Sequence, residues 1–175
     1  LDKRKFSQQR DTGVVKKIIL DIKNQGDTAL IRYEKKFTKK KKITKRDLEF
    51  SKKEISKYIS RLDKKVKKSI DLAFNRIKKF HLKQKLYNFS YKDNYNNSFL
   101  YRTKPIEKVG IYVPGGTANY PSSVLMNSIP ALVAGVKNIY MTSPSINSKI
   151  NPAVMYAAKK CGIKKIYKIG GAQAI

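Results

Sequence analysis

The 175-residue sequence holds a single cysteine, Cys161, and a single histidine, His81. A lone thiol excludes an internal disulfide and fits a cytoplasmic, reducing compartment. No apolar run approaches the roughly 18 residues that a membrane span requires, and the polar start offers no signal-peptide core. Acid is scarce: 12 Asp and Glu stand against 40 Lys and Arg, for a formal net charge of +28. Past residue 100, Glu107 is the one acidic side chain. The generic nucleotide motifs are missing as well, with no Gly-x-Gly-x-x-Gly and no glycine loop ending in Gly-Lys-Ser or Gly-Lys-Thr.

Arginine is also in short supply, 7 against 33 lysines. Dedicated nucleic-acid surfaces use arginine for bidentate contacts to bases and phosphates, so the charge does not by itself specify a nucleic-acid partner. Residues 1–100 carry 30 basic and 11 acidic side chains, and residues 101–175 carry 10 and 1, so both parts are basic. Lysine, isoleucine, asparagine and tyrosine are abundant together, as an AT-rich genome would produce. Lysines on solvated faces, with no specific nucleic acid and no membrane as partner, are the expectation. With 41% apolar residues the chain is expected to fold.

The first hundred residues read as helices. In "TGVVKKIILDIKNQG", Val14, Val15, Ile18, Ile19 and Ile22 fall at helical spacing and Gly26 is a stop. Asp27 is placed to cap a second helix with Ala29, Leu30, Tyr33 and Phe37 as its stripe. "TKKKKITKRD" reads as a loop too charged to bury anything. Ser51 and Glu54 form a capping box ahead of Ile55, Tyr58, Ile59 and Leu62. A longer helix carries Val66, Ile70, Ala73, Phe74, Ile77 and Phe80. All these stripes are expected to be core. From residue 86 to 103 the pattern turns aromatic and alternating, a short strand pair around "KDNYNN".

From residue 105 the character changes. "GIYV" (110–113), "NIYM" (138–141) and "KIYKI" (165–169) are apolar runs whose tyrosines, Tyr112, Tyr140 and Tyr167, recur at nearly equal intervals. Between them lie two helix patterns. "SSVLMNSIPALVAG" is opened by serine caps and closed by Gly135; the second has Asn151 as N-cap, Pro152 at the first position and Gly162 as stop. The product is βαβαβ, hence an α/β fold with a parallel sheet, and such apolar strands fit a sheet covered on both faces.

"KVGIYVPGGTANYPSS" (residues 108–123) is nearly free of charge, as expected of a segment lining an interior cleft, where lysine would carry a desolvation cost. Pro114-Gly115-Gly116 and Gly170-Gly171 stand where strands end, the side on which open α/β sheets bind ligands. Glycine there admits a ligand close to backbone amides, and a helix N-terminus favours phosphate. On spacing alone, tight turns explain the pairs equally well.

"VGIYVPGGTANYPSSVLMNSIPALVAGVKNIYMTSP" followed by "IYKIGGAQAI" closely resembles the histidinol dehydrogenase family, and "VKKIILDIKNQGDTALIRYEKKFT" and "AFNRIKKFHLKQ" resemble its N-terminal helical region. The resemblance implies NAD-dependent oxidation of L-histidinol to L-histidine in two hydride transfers through an enzyme-held aldehyde. It also implies zinc, a homodimer and incomplete Rossmann-like domains. Residues 1–104 would be the helical region and 105–175 the first part of the NAD-binding domain, truncated at its C-terminal end. Carried over residue by residue, Tyr112 and Gln173 are the implied cofactor contacts. The family's zinc ligands and its acid/base pair match nothing here, so no catalytic or metal-binding residue is assigned. His81 is expected as a partly buried helical residue and Cys161 as small core. The start at Leu1 and the close on "IGGAQAI" suggest a piece of a longer polypeptide, whose sheet would stop after three strands with an unpaired edge. A non-catalytic remnant and a lysine-rich nucleic-acid-binding module are the competing readings, and the DNA downstream of codon 175 or a steep salt dependence of binding would single them out.

Overall fold

The computed structural model describes residues 2–38, 40, 42–115, 120–144 and 150–175, with side chains from residue 12 onward. Helices α1 (Asp2–Gln25) and α2 (Asp27–Thr38) meet at Gly26. The first begins twelve residues before its apolar stripe does. Asp27 opens α2 and pairs with Lys45. After α3 (Lys52–Ser60) comes α4 (Lys64–Lys83). The box before α3 forms as expected: Ser51 Oγ accepts from the Glu54 amide at 3.2 Å, and Glu54 Oε2 accepts from the Ser51 amide at 2.8 Å. Strands β1 (Phe89–Lys92) and β2 (Ser98–Tyr101) make the antiparallel pair, with Phe89 stacked on Tyr101 and Tyr91 on Phe99.

The rest is β3 (Lys108–Tyr112), α5 (Pro121–Ala134), β4 (Asn138–Thr142), α6 (Pro152–Lys160) and β5 (Lys165–Tyr167), the βαβαβ order expected, with the strands parallel in the order β3-β4-β5. Asn151 caps α6 by accepting from the Ala153 amide at 2.7 Å. The serines before α5 do not cap it. Helix α5 starts at Pro121 with Tyr120 in the cap position, so Ser122 and Ser123 fall inside the first turn. Tyr112 and Tyr167 both sit level with Thr142, while Tyr140 is level with Gly110.

One face of the sheet presents Ile111, Ile139, Met141 and Ile166 to a core shared with α3, α4, α5 and α6. Helix α5 is the inner helix, burying Val124, Leu125, Ser128 and Ile129. This is why no charge interrupts residues 109–136: a lysine on α5's inward side would be buried without a partner. At the outer seam Asp71 on α4 accepts from Tyr156 and pairs with Lys160 on α6 at 2.8 Å, and its carboxyl is held below the ordinary range, first by the Lys160 bond. The second sheet face, with Tyr112, Tyr140 and Tyr167, is only half-buried, so the two-sided cover expected from the strand composition is not present among the described residues.

Two more expectations fail for related reasons. The lysine-rich loop does bury a residue, since Ile43 is below a tenth exposed, as are Leu48 and Phe50 just after it, and a 3-10 turn at Lys45–Leu48 is boxed by Thr44 and Asp47. Residues 48–50 then run antiparallel along β5. The Phe50 amide donates to Ile166 at 2.9 Å and the Lys168 amide to Leu48 at 2.7 Å, so the β5 edge is covered. Lys168 lies over the Phe50 ring and pairs with Glu54 at 2.7 Å. The helical stripes, by contrast, are not all core. Ile18, Ala29, Tyr33, Ile59, Ile70 and Phe74 are buried, whereas Val14, Val15, Ile19, Phe37, Val66 and Phe80 are exposed. Periodicity identifies an apolar face but not what covers it.

Cys161 is core, as expected, 1% exposed at the end of α6. Burial pushes its thiol up to about 11, with the Ser128 hydroxyl pulling the other way. Since the thiolate is the nucleophile, Cys161 should resist an aromatic disulfide reagent at pH 8 in the native chain and react fully once the chain is unfolded. Stoichiometric labelling without unfolding would show that the seam between α5 and α6 opens.

Candidate functional site

The site is built where the three parallel strands end. The Val113 amide donates to Thr142 at 2.9 Å, the Ser143 amide to Tyr167 at 3.0 Å, and Thr142 Oγ1 to the Ile169 carbonyl at 2.7 Å. These bonds carry the sheet's register into the three following turns, so Gly115, Pro144 and Gly170 come into contact. A Cβ on Gly115 would lie 2.2 Å from the Pro144 carbonyl oxygen, and one on Gly170 would lie 2.5 Å from Pro144 Cβ. These two glycines are thus required by packing alone, and their presence does not need a ligand to explain it. Gly116 and residues 117–119 lie outside the described residues, and with them the middle of the segment expected to line a cleft.

The structure places Tyr112 at the end of β3 and Gln173 in the 3-10 turn Ala172–Ala174, and links the two regions. Tyr112 Oη accepts from the Gly171 amide at 3.2 Å, across 59 residues of sequence. Because that bond uses an oxygen lone pair, the Tyr112 O–H remains available as a donor. Gln173 is not the solvated cap residue its type suggests. It is 8% exposed, its Nε2 donates to Glu34 Oε1 at 2.9 Å, and its Oε1 is buried with no partner among the described residues. Few buried polar atoms in folded proteins are left unpaired, so this acceptor calls for an explanation.

Glu34 was not singled out from the sequence. It is 3% exposed on α2, deeper than Tyr33 beside it. A signal was present: Leu30, Glu34 and Phe37 are related by four and three residues, so the glutamate occupies a position of the apolar stripe.

Neither sequence-noted metal donor belongs to this site. His81 is half-buried in the last turn of α4, its Nδ1 2.7 Å from Gln84 Oε1, and Cys161 is in the core. Among the described residues no three His, Cys, Asp or Glu side chains cluster as a metal site would. The donor set among the described residues does not fit zinc.

No helix among the described residues is long and apolar enough to cross a membrane. The protein-family model described as histidinol dehydrogenase matches residues 1–175. The chain is 54% identical over 175 residues to a curated histidinol dehydrogenase of Pelagibacter ubique (strain HTCC1062), covering 100% of this chain and 40% of the relative. It is 42% identical over 173 residues to that of Agrobacterium fabrum (strain C58 / ATCC 33970), covering 99% and 40%. The crystal structure of histidinol dehydrogenase from Elizabethkingia anophelis superposes with a TM-score of 0.85 at 40% identity, over 93% of this chain and 37% of that one. On these matches the chain, which spans about 40% of the length of the curated relatives, belongs to the histidinol dehydrogenase family.

Proposed function

We propose that this chain supplies part of the NAD-binding site of an enzyme oxidising L-histidinol to L-histidine by two hydride transfers. Its βαβαβ unit is then the first part of a Rossmann-like domain, and NAD when bound supplies the hydride acceptor. The observation that carries the proposal is the pairing of Tyr112 and Gln173 through Gly171, with an unpartnered acceptor buried beside it. Tyr112 offers a ring to pack on and an O–H to donate, and Gln173 Oε1 accepts from a ribose hydroxyl or an amide. The three laced turns hold both residues without reorganisation, which lowers the ordering cost of binding.

Zinc and the acid/base residues would come from polypeptide outside this chain, and the partner implied is a second copy in a homodimer. The exposed apolar residues of α1 and of the aromatic strand pair support that assembly, since such surface is otherwise costly to leave in water. The experiment is an NAD titration of the full-length polypeptide. Tyr112→Ala and Gln173→Ala should each raise the NAD dissociation constant by about tenfold, the loss of one or two good contacts, and leave zinc content unchanged. Wild-type affinity in both variants would remove these residues from the cofactor site.

A further inference from the structure

We infer that Glu34 is a positioning residue: it sets which end of the Gln173 side-chain amide faces the turn after β5. The inference rests on the cofactor reading above for its functional consequence, though not for the contact itself. Glu34 is buried on α2, and its Oε1 accepts from Gln173 Nε2 at 2.9 Å across 139 residues of sequence. The Glu34 oxygen is the acceptor of this bond, so it is met by the NH2 end of the amide and not by the oxygen. The opposite flip would put two acceptors against each other in a buried place, where an unmet polar group is costly. The amide is therefore locked with Oε1 turned away from α2.

What Oε1 meets on that side is Gly171. A Cβ at residue 171 would lie 2.8 Å from Oε1, and Gly171 has a φ of +66°, which disfavours a side chain on independent grounds. Thus Oε1 sits against the backbone of the same glycine whose amide holds Tyr112 Oη. Glu34 thereby fixes an acceptor, Gln173 Oε1, beside a donor, the Tyr112 O–H. Glutamine without such a lock would present either end, and a ligand would have to select one of them. Locking the amide removes that selection cost from binding.

Two measurements test this. In the isotopically labelled chain, the side-chain NH2 resonances of Gln173, identified by their loss in Gln173→Ala, should be shifted and slow to exchange in the wild type, and should split into two sets in Glu34→Gln, whose own amide can meet either end of Gln173. They should collapse to solvent-exposed values in Glu34→Leu. In the full-length polypeptide, Glu34→Leu should weaken NAD about tenfold, Glu34→Gln, which no longer selects one end of the amide, should weaken it by a smaller factor, and Glu34→Leu should add nothing in a Gln173→Ala background. Unchanged amide resonances in Glu34→Leu overturn the inference. So does an equal loss of NAD affinity with and without Gln173, which would mean that Glu34 acts by supporting α2 and not through the amide. If Gln173→Ala alone leaves NAD affinity intact, the cofactor reading falls, and the resonances still decide whether Glu34 holds the amide.

Discussion

Gly115→Ala and Gly170→Ala are each expected to lower the melting temperature by roughly 2–12 °C, and only the second should be rescued by Pro144→Gly. Both glycines abut Pro144, and the nearest atom differs between them. At Gly170 the added methyl would meet Pro144 Cβ at 2.5 Å and Cγ at 3.1 Å, atoms that a glycine at 144 lacks. At Gly115 Pro144 Cγ would lie at 2.9 Å, but the nearest atom is the Pro144 carbonyl oxygen at 2.2 Å, which no substitution at 144 removes and which keeps the position closed when Cγ is gone. Real Cβ atoms essentially never come within 3.0 Å of such neighbours, so in either variant the turn after β4 must move. Overpacking of this kind costs about 1–3 kcal/mol, and for a chain of this size each kcal/mol is roughly 2–4 °C.

The rescue is read as a coupling. Pro144→Gly lowers stability on its own by freeing the unfolded chain. The double variant with Gly170→Ala should nevertheless fall short of the sum of the two losses, while the one with Gly115→Ala should reach it. Thermal melts of the five variants and the wild type are sufficient. If both doubles are additive, Pro144 is not what excludes a side chain, and the glycines are left to a ligand to explain.

How far the sequence disclosed this arrangement depended on the range of the interactions. Features set within a few residues were legible: the Ser51–Glu54 box, the Asn151 cap, the strand pair around residues 93–97, and the three parallel strands with their helices. Tyr112 and Gln173 were legible because the words around them are specific to a family, not because anything in their type marks a site. What stayed hidden was contact across long sequence separation. Residues 48–50 carry no strand signature of their own, and they become an edge strand only because Phe50 and Leu48 find the free carbonyl and amide of β5 more than a hundred residues later. Glu34 read as one more charge on a lysine-rich helix, yet it is buried because α2 lies against the turn that holds Gln173. The exposed stripes of α1 and α4 erred in the opposite direction. They have the periodicity of core, and no described residue covers them.

The 175-residue chain by itself is expected to form no NADH from L-histidinol, at least about ten-thousand-fold below a complete enzyme. Taking protons from an alcohol and then from a hydrated aldehyde calls for a positioned base, a contribution of about 10²–10⁴-fold. Several acidic groups among the described residues are committed elsewhere or distant. Glu54 pairs with Lys168, Glu49 with Lys165, Asp71 with Lys160, and Glu34 holds the Gln173 amide. Glu107 precedes β3, at the opposite end of the strand from the three turns, and a five-residue strand puts roughly 16 Å between those ends. His81 is at the end of α4, bonded to Gln84, and the Cys161 thiol is raised and buried. Purified chain should therefore hold no stoichiometric zinc by elemental analysis and give no absorbance rise at the nicotinamide band with histidinol and NAD. NADH formation accompanied by one zinc per chain would place a base and a ligand set within these 175 residues, and would mean that the site at the strand ends is not where the chemistry is done.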